Sequence, residues 1–143
     1  MDVTTVDTPL NPVQRQLGVI QEKWGDALDA GFQVVPNVLI RAQSRLNLDT
    51  VDVVILLNLM AHWWTKDALP FISPARIAKR MNVTTRTVER HLKKLEGRNF
   101  IRRSVPNRTG QGIYIRHYDL TPLVGVLQEA SRNALTERAR AVS

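Results

Sequence analysis

The sequence predicts a mainly α chain with one small β-hairpin, an α+β fold, and three observations predict it. Apolar residues recur at helical spacing in several blocks between residues 13 and 97, and again after Thr121. Residues 100–118 instead form two short runs of mixed character around a turn-rich stretch, Pro106-Asn-Arg-Thr-Gly-Gln-Gly112. Helix-start signals, among them Asp49-Thr50, Ser73-Pro74 and Thr121-Pro122, punctuate the chain between these blocks.

The elements follow in order. Residues 1–12 lack periodicity and read as a disordered lead-in. Val13 to about Leu28 reads as a short amphipathic helix with Leu17, Ile20, Trp24 and Leu28 on one side, a segment assigned to residues 13–30. Gly31 to Pro36 breaks it, and Pro36 starts another short helix with Leu39, Ile40 and Leu46 as its apolar side. Asp49 or Thr50 caps the next helix, Asp52 adds negative charge to its first turn, and Val51 to Met60 is apolar nearly all round. A helix without a polar face is a buried one, so this is the expected centre of the core.

Ser73 and Pro74 are an N-cap with proline at the first helical position, and Ile77, Ala78 and Met81 form the inner side of a two-turn helix. Asn82 tolerates the left-handed conformation of a tight exit, and Val83 is a small apolar plug. Thr84 or Thr85 caps a helix expected to end near Gly97. At 100° per residue, Val88, Leu92 and Leu95 share one stripe, with Arg86, Arg90 and Lys93 opposite and Thr87 and Glu89 flanking. Phe100 to Val105 and Ile113 to Tyr118 read as the strands of a hairpin, with Phe100 and Tyr118 packed beneath it. Thr121 to near the C-terminus is a last helix carrying Leu123, Val126, Leu127, Ala130 and Leu135.

The chain's 143 residues suit one domain with an appended helix or arm. Cysteine is absent, which excludes disulfides, zinc ribbons and thiol catalysis. The longest apolar run, Val53 to Leu57, is too short to span a membrane. The start carries no basic, apolar leader, so the cytoplasm is the expected compartment. Charge is distributed unevenly. Residues 1–75 carry a net −3, residues 76–118 a net +10, and residues 119–143 balance. All of the excess positive charge lies in one 43-residue segment, the electrostatic footprint of a protein that binds a polyanion.

Helix, short helix, tight turn, polar-faced helix and basic-tipped hairpin, in that order, resemble a winged helix-turn-helix with flanking N- and C-terminal helices. The residues that carry the resemblance are Val35-Pro-Asn-Val-Leu39, Ala61-His-Trp-Trp64 and the run from Leu69 through Ser73-Pro-Ala-Arg-Ile-Ala-Lys-Arg-Met-Asn-Val83. They continue in Thr85-Arg-Thr-Val-Glu-Arg-His-Leu-Lys-Lys-Leu-Glu96, Phe100-Ile-Arg-Arg103 and Tyr118-Asp-Leu-Thr-Pro-Leu123. The family they resemble occurs in phage and plasmid replication proteins and in small bacterial regulators. Asn82 departs from the glycine such turns usually carry.

The resemblance implies residues 31–120 as a DNA-binding domain and residues 121–143 as a C-terminal helix suited to dimerisation. In such a motif the second helix enters the major groove with its front at the base edges. Thr85, Arg86, Glu89, Arg90 and Lys93 are then the base readers, with arginine suited to guanine and Glu89 to a cytosine amino group. Ser73, Arg76, Thr84, Thr87 and Lys94 suit phosphates, and Arg103, Arg108, Thr109 and Gln111 would set the wing on the backbone or in the minor groove. The implied partner is double-stranded DNA bound by a homodimer, in transcriptional regulation or, alternatively, at a replication origin. A protein-interaction winged helix is a further alternative, which the +10 segment opposes.

Other chemistries find little support. His62, His91 and His117 fall in three elements without metal-ligand spacing, and His91 sits near the inner side of its helix. Gly110 and Gly112 lie in a hairpin rather than at a strand-to-helix turn, so they form no phosphate loop. No catalytic set, metal or cofactor is expected. Trp24, Trp63 and Trp64 are not spread along a basic strand as stacking platforms would be, and Trp63 and Trp64 are expected to cap the core.

Overall fold

The computed structural model describes residues 9, 11–108, 110 and 114–142. The chain forms two compact units, Met1–Gln33 and Val34–Ser143. The first holds helix α1, Pro12–Trp24, and a 3-10 turn, Gly25–Leu28. The start is set by a reciprocal cap. Asn11 Oδ1 accepts the Gln14 backbone N–H at 2.8 Å, and Gln14 Oε1 accepts that of Asn11 at 2.9 Å. The helix stops four residues earlier than the periodicity suggests, because Gly25 turns the backbone to a φ of +55°. No residue of α1 is buried, so Leu17 and Trp24 keep their stripe at the surface.

The second unit contains α2 (Asn37–Arg41), α3 (Thr50–Met60), α4 (Pro74–Met81), α5 (Thr85–Gly97) and α6 (Thr121–Val142), with a hairpin between the last two. It is mainly helical with a small antiparallel hairpin, the class expected. Its core gathers Leu39 of α2, Ile55, Leu56 and Leu59 of α3, Ile77 of α4, and Val88, Leu92 and Leu95 of α5, all fully buried. Ile40, expected on the inner side of α2, is exposed instead, because five residues offer the core only one turn. Truncating Leu92 to alanine in this setting costs about 2–5 kcal/mol.

Three asparagines close three of the turns. Asn47, Asn82 and Asn99 have φ of 56°, 55° and 60°, and they are the described non-glycine residues with positive φ. Each is followed by a residue whose N–H reaches back five positions. Leu48 bonds the Gln43 carbonyl at 2.9 Å, Val83 that of Ala78 at 3.0 Å, and Phe100 that of Leu95 at 3.0 Å. This is the Schellman arrangement, with an apolar residue following the turn and packing on the core. Asn82 thus performs the job usually given to glycine. α5 ends at Gly97 as expected, and Asn99 supplies the left-handed residue of its exit.

The hairpin consists of β1 (Arg102–Arg103), β2 (Asn107–Arg108), β3 (Tyr114–Ile115) and β4 (Tyr118–Asp119). Arg103 pairs with Tyr118 and Asn107 with Ile115, so three residues on one side oppose two on the other. That one-residue bulge divides the second expected strand into β3 and β4, and β2 lies in the stretch expected as loop. Pro106 lies within it and has no N–H for a continuous ladder. Ser104 holds the break, since its N–H donates to the His117 carbonyl and its Oγ accepts the His117 N–H, both at 2.9 Å. Phe100 and Tyr118 pack beneath, as expected.

In α6 only Leu123 and Leu127 are buried, and an Arg45–Glu137 ion pair of 2.9 Å ties its far half to the turn after α2. The tryptophans divide. Trp63 is half-buried against the core, whereas Trp64 is 74% exposed and does not cap it. Among the described residues no helix is long and apolar enough to cross a membrane.

Candidate nucleic-acid interface

Two caps position the helix pair. Ser73 Oγ accepts the Arg76 N–H at 3.2 Å, and Thr84 Oγ1 accepts that of Thr87 at 3.1 Å while meeting the Thr87 hydroxyl at 2.9 Å. Ser73, Thr84 and Thr87 therefore act first on their own backbone. With Val88, Leu92 and Leu95 fully buried, helical geometry turns Arg86, Arg90 and Lys93 outward, and Thr85 is exposed at the front. None of these four makes an ion pair among the described residues. Arg76 is exposed on α4. Among the described residues the cations of this face meet no acid, so their field is directed at solvent.

Three other candidates have partners inside the protein. Glu89 Oε2 accepts a bond from Arg103 Nη1 at 3.0 Å, and Arg103 Nη2 lies 3.5 Å from Glu96 Oε1. Arg103, expected on the wing, stands at the base of the hairpin with 6% of its side chain exposed. Burial works against its charge, but Glu89 and Glu96 more than compensate and hold its pKa above the usual value. Its Nε has no partner, so the site encloses it without saturating it. Glu89 is thereby held towards the hairpin rather than presented alone beside the arginines.

Lys94, expected at a phosphate, reaches the other way. Its Nζ lies 2.7 Å from Asp52 Oδ2 and 3.4 Å from Asp49 Oδ2. Asp52, expected as negative charge in the first turn of α3, is fully buried in a helix that is apolar nearly all round. Its Oδ2 also accepts the Asp49 N–H at 3.0 Å, and its Oδ1 meets His91 Nδ1 at 2.7 Å. Burial would raise its pKa, yet bonds from Lys94, His91 and the Asp49 N–H bring it below the ordinary carboxylate value. The Asp52 bond raises the pKa of Lys94 in turn. Asp49, Asp52 and His91 have the spacing to hold a metal, but Lys94 already supplies the positive charge there.

A third contact joins α4 to α3. Arg80 Nη1 lies 3.2 Å from His62 Nε2 and 3.3 Å from Asn58 Oδ1. Burial, then the charges of Arg80 and Arg76, push the His62 pKa down, which leaves a neutral ring able to accept from Arg80. Arg108 lies in β2, and its side chain, with Thr109 and Gln111, falls outside the described residues. The networks of Asp52 and Arg103 were not read from the sequence. A lone acid in an apolar helix, and His91 and Lys94 one step from the core stripe, were the signals available.

Comparison with known proteins adds the following. Residues 35–138 match the family model described as DnaD N-terminal domain. Among solved structures, the chain resembles the N-terminal domain of the DnaD protein from Geobacillus kaustophilus HTA426. That match has 22% identity and a TM-score of 0.58, and it covers 83% of this chain and 96% of the other. It supports a shared fold. A possible transcriptional regulator from Methanosarcina mazei Go1 aligns at 17% identity with a TM-score of 0.47, over 74% of this chain and 83% of that one. No curated protein matches the chain.

Proposed function

This chain belongs to the DnaD N-terminal domain family, and from that premise we propose that it is a winged helix-turn-helix module that reads double-stranded DNA. The observation that carries the proposal is the front of α5, where Thr85, Arg86, Arg90 and Lys93 are exposed and the three cations have no acidic partner among the described residues. A helix of this kind fits the major groove, with Arg86 and Arg90 suited to guanine edges. Arg76 and the wing residues Arg108, Thr109 and Gln111 take the backbone role. The acidic clusters around Asp52 and Arg103 are closed ion pairs, which supports a binding module rather than an enzyme.

The family, one of replication initiation, supports an origin-binding role about as well as the transcriptional regulation that the sequence suggests. Selection of bound duplexes from a random library separates the two. Tandem copies of a motif support replication control, one inverted repeat supports a dimeric regulator, and absence of enrichment together with unchanged binding by Arg90→Ala overturns base reading. We further propose that copies pair through α6, because Leu135 is 60% exposed on its unburied half. Leu135→Arg should convert a dimer to a monomer in sedimentation velocity. A dimer that survives it would move the pairing to the exposed stripe of α1.

A further inference from the structure

The loop between α3 and α4 exposes aromatic rings that the fold has every means of burying. Trp64 is 74% exposed, Phe71 43% and Leu69 41%. The loop is nonetheless firmly anchored. Trp63 Nε1 donates to the Lys66 carbonyl at 3.4 Å, and the Ala68 N–H donates to the Thr65 carbonyl at 3.2 Å. Pro70 and Ile72 are buried, and the Pro70 carbonyl accepts the Tyr118 N–H of β4 at 2.9 Å. In extended chain, alternate residues face opposite ways, so anchoring both neighbours turns Phe71 outward. Its ring centroid lies 5.9 Å from that of His117. Trp64 and Lys66 border a groove of about 340 Å³ with Thr121 and Val124, at the start of α6.

Both rings therefore flank one stretch of chain, from His117 to Thr121, which spans at most about 14 Å. Residues 101–118 carry four arginines and no acid, and while Arg103 is closed on Glu89 and Glu96, Arg102 and Arg116 adjoin this stretch. Exposed Lys66 lies in the loop itself, and Arg102, 67% exposed, pairs across the ladder with Asp119. The Asp119 carboxylate accepts the Thr121 N–H at 2.9 Å and lies 3.9 Å from Arg102, and Asp67 is the acid of the loop itself. Exposed aromatic faces beside cationic side chains are the chemistry that binds unpaired bases, since a duplex hides the base faces on which rings stack.

We propose that Trp64 and Phe71 form a stacking site for an unpaired nucleic-acid strand, distinct from the α5 face and reached past the base of the hairpin. The proposal rests on the duplex reading above in one respect only, that the ligand is nucleic acid. The test uses the full chain with fluorescein-labelled oligothymidylate of about 16 nucleotides, read by anisotropy, beside a selected duplex. Trp64→Ala and Phe71→Ala should each weaken oligothymidylate binding about tenfold and leave duplex affinity within about twofold. Trp64→Phe should retain most of the binding, and Trp64→Ala should leave the melting temperature unchanged because that ring is exposed. Arg90→Ala should show the opposite pattern.

Duplex binding without oligothymidylate binding would overturn the stacking site and leave the α5 reading intact. Oligothymidylate binding indifferent to both rings would also overturn it. Equal losses on single strand and duplex would make the rings a duplex wedge, and displacement by polyglutamate at matched charge would assign the face to an acidic protein partner. Either result overturns the proposal, and binding to neither nucleic acid would sink both readings.

Discussion

The cations of α5 and the hairpin fall into two groups that composition does not distinguish. Arg86, Arg90 and Lys93 point to solvent without acidic partners, whereas Lys94 and Arg103 are tied to acids within the protein. Lys93 and Lys94 are adjacent in sequence and sit 100° apart on one helix. That rotation carries Lys94 over the start of α3, where Asp49 and Asp52 wait, and leaves Lys93 outside. The first group is available to a polyanion. The second clamps α5 from two sides, to α3 through Asp52 and to β1 through Arg103. A recognition surface needs both, because exposed charges read a ligand only if the helix bearing them is held still.

The comparison breaks most severely at Asp52. Asp52→Ala removes an N-cap partner and leaves His91 and Lys94 without their buried acid, so unfolding free energy should fall by about 3 kcal/mol in urea titration. A loss under about 1 kcal/mol would mean that Lys94 simply turns to solvent. Arg103→Met should cost about 1–3 kcal/mol, because Glu89 and Glu96 are partly exposed and can recover water. If the clamp matters to binding, this variant also weakens duplex affinity although its side chain is buried. Arg90→Ala belongs to the other group. Its stability should stay within about 0.5 kcal/mol of the parent, while a preferred site loses about 1–3 kcal/mol of binding.

The smallest expected effect concerns pH. The folded pKa of His62 lies below its ordinary value, so above about pH 6.5 both states hold it neutral and its contribution is complete. As pH falls below that value the unfolded chain takes up the proton first, and stability declines towards the folded pKa. His62→Gln should flatten this part of the curve of urea midpoint against pH. Asp52 acts lower. Its folded pKa is depressed, so its contribution is present above about pH 4 and is lost as pH falls through the folded value. A parent and His62→Gln variant with the same slope between pH 6.5 and 5 would remove His62 from the account.

Much of the fold was legible because its signals are short. Ser73 and Thr84 cap within three residues, and Asn82 closes its turn within five. Val88, Leu92 and Leu95 repeat at the helical period, so the outward direction of Arg86 and Arg90 follows without knowledge of the rest. The bulge was less legible because Pro106 was assigned to a loop, while the strand break is set by pairing with residues about ten positions away. Trp64 follows the buried helix, and from that position it is expected to cap the core. Its exposure depends on where Pro70 and Ile72 attach, which residue type does not reveal.

By itself, the sequence determined the helices, their caps, the inward stripe of α5 and the concentration of positive charge between Arg76 and Tyr118. Each rests on interactions within about five residues or on a simple sum of charge. Only the tertiary structure decided which charges remain available. Asp52 meets Lys94 across 42 residues, Arg98 Nη1 donates to the Asn47 carbonyl across 51, and Arg103 reaches Glu89 across 14. Those partners are chosen by the packing of α3, α5 and the hairpin on a common core. An ion pair needs its two charged groups within about 4 Å of each other, and along the chain nothing marks such proximity until the core has formed.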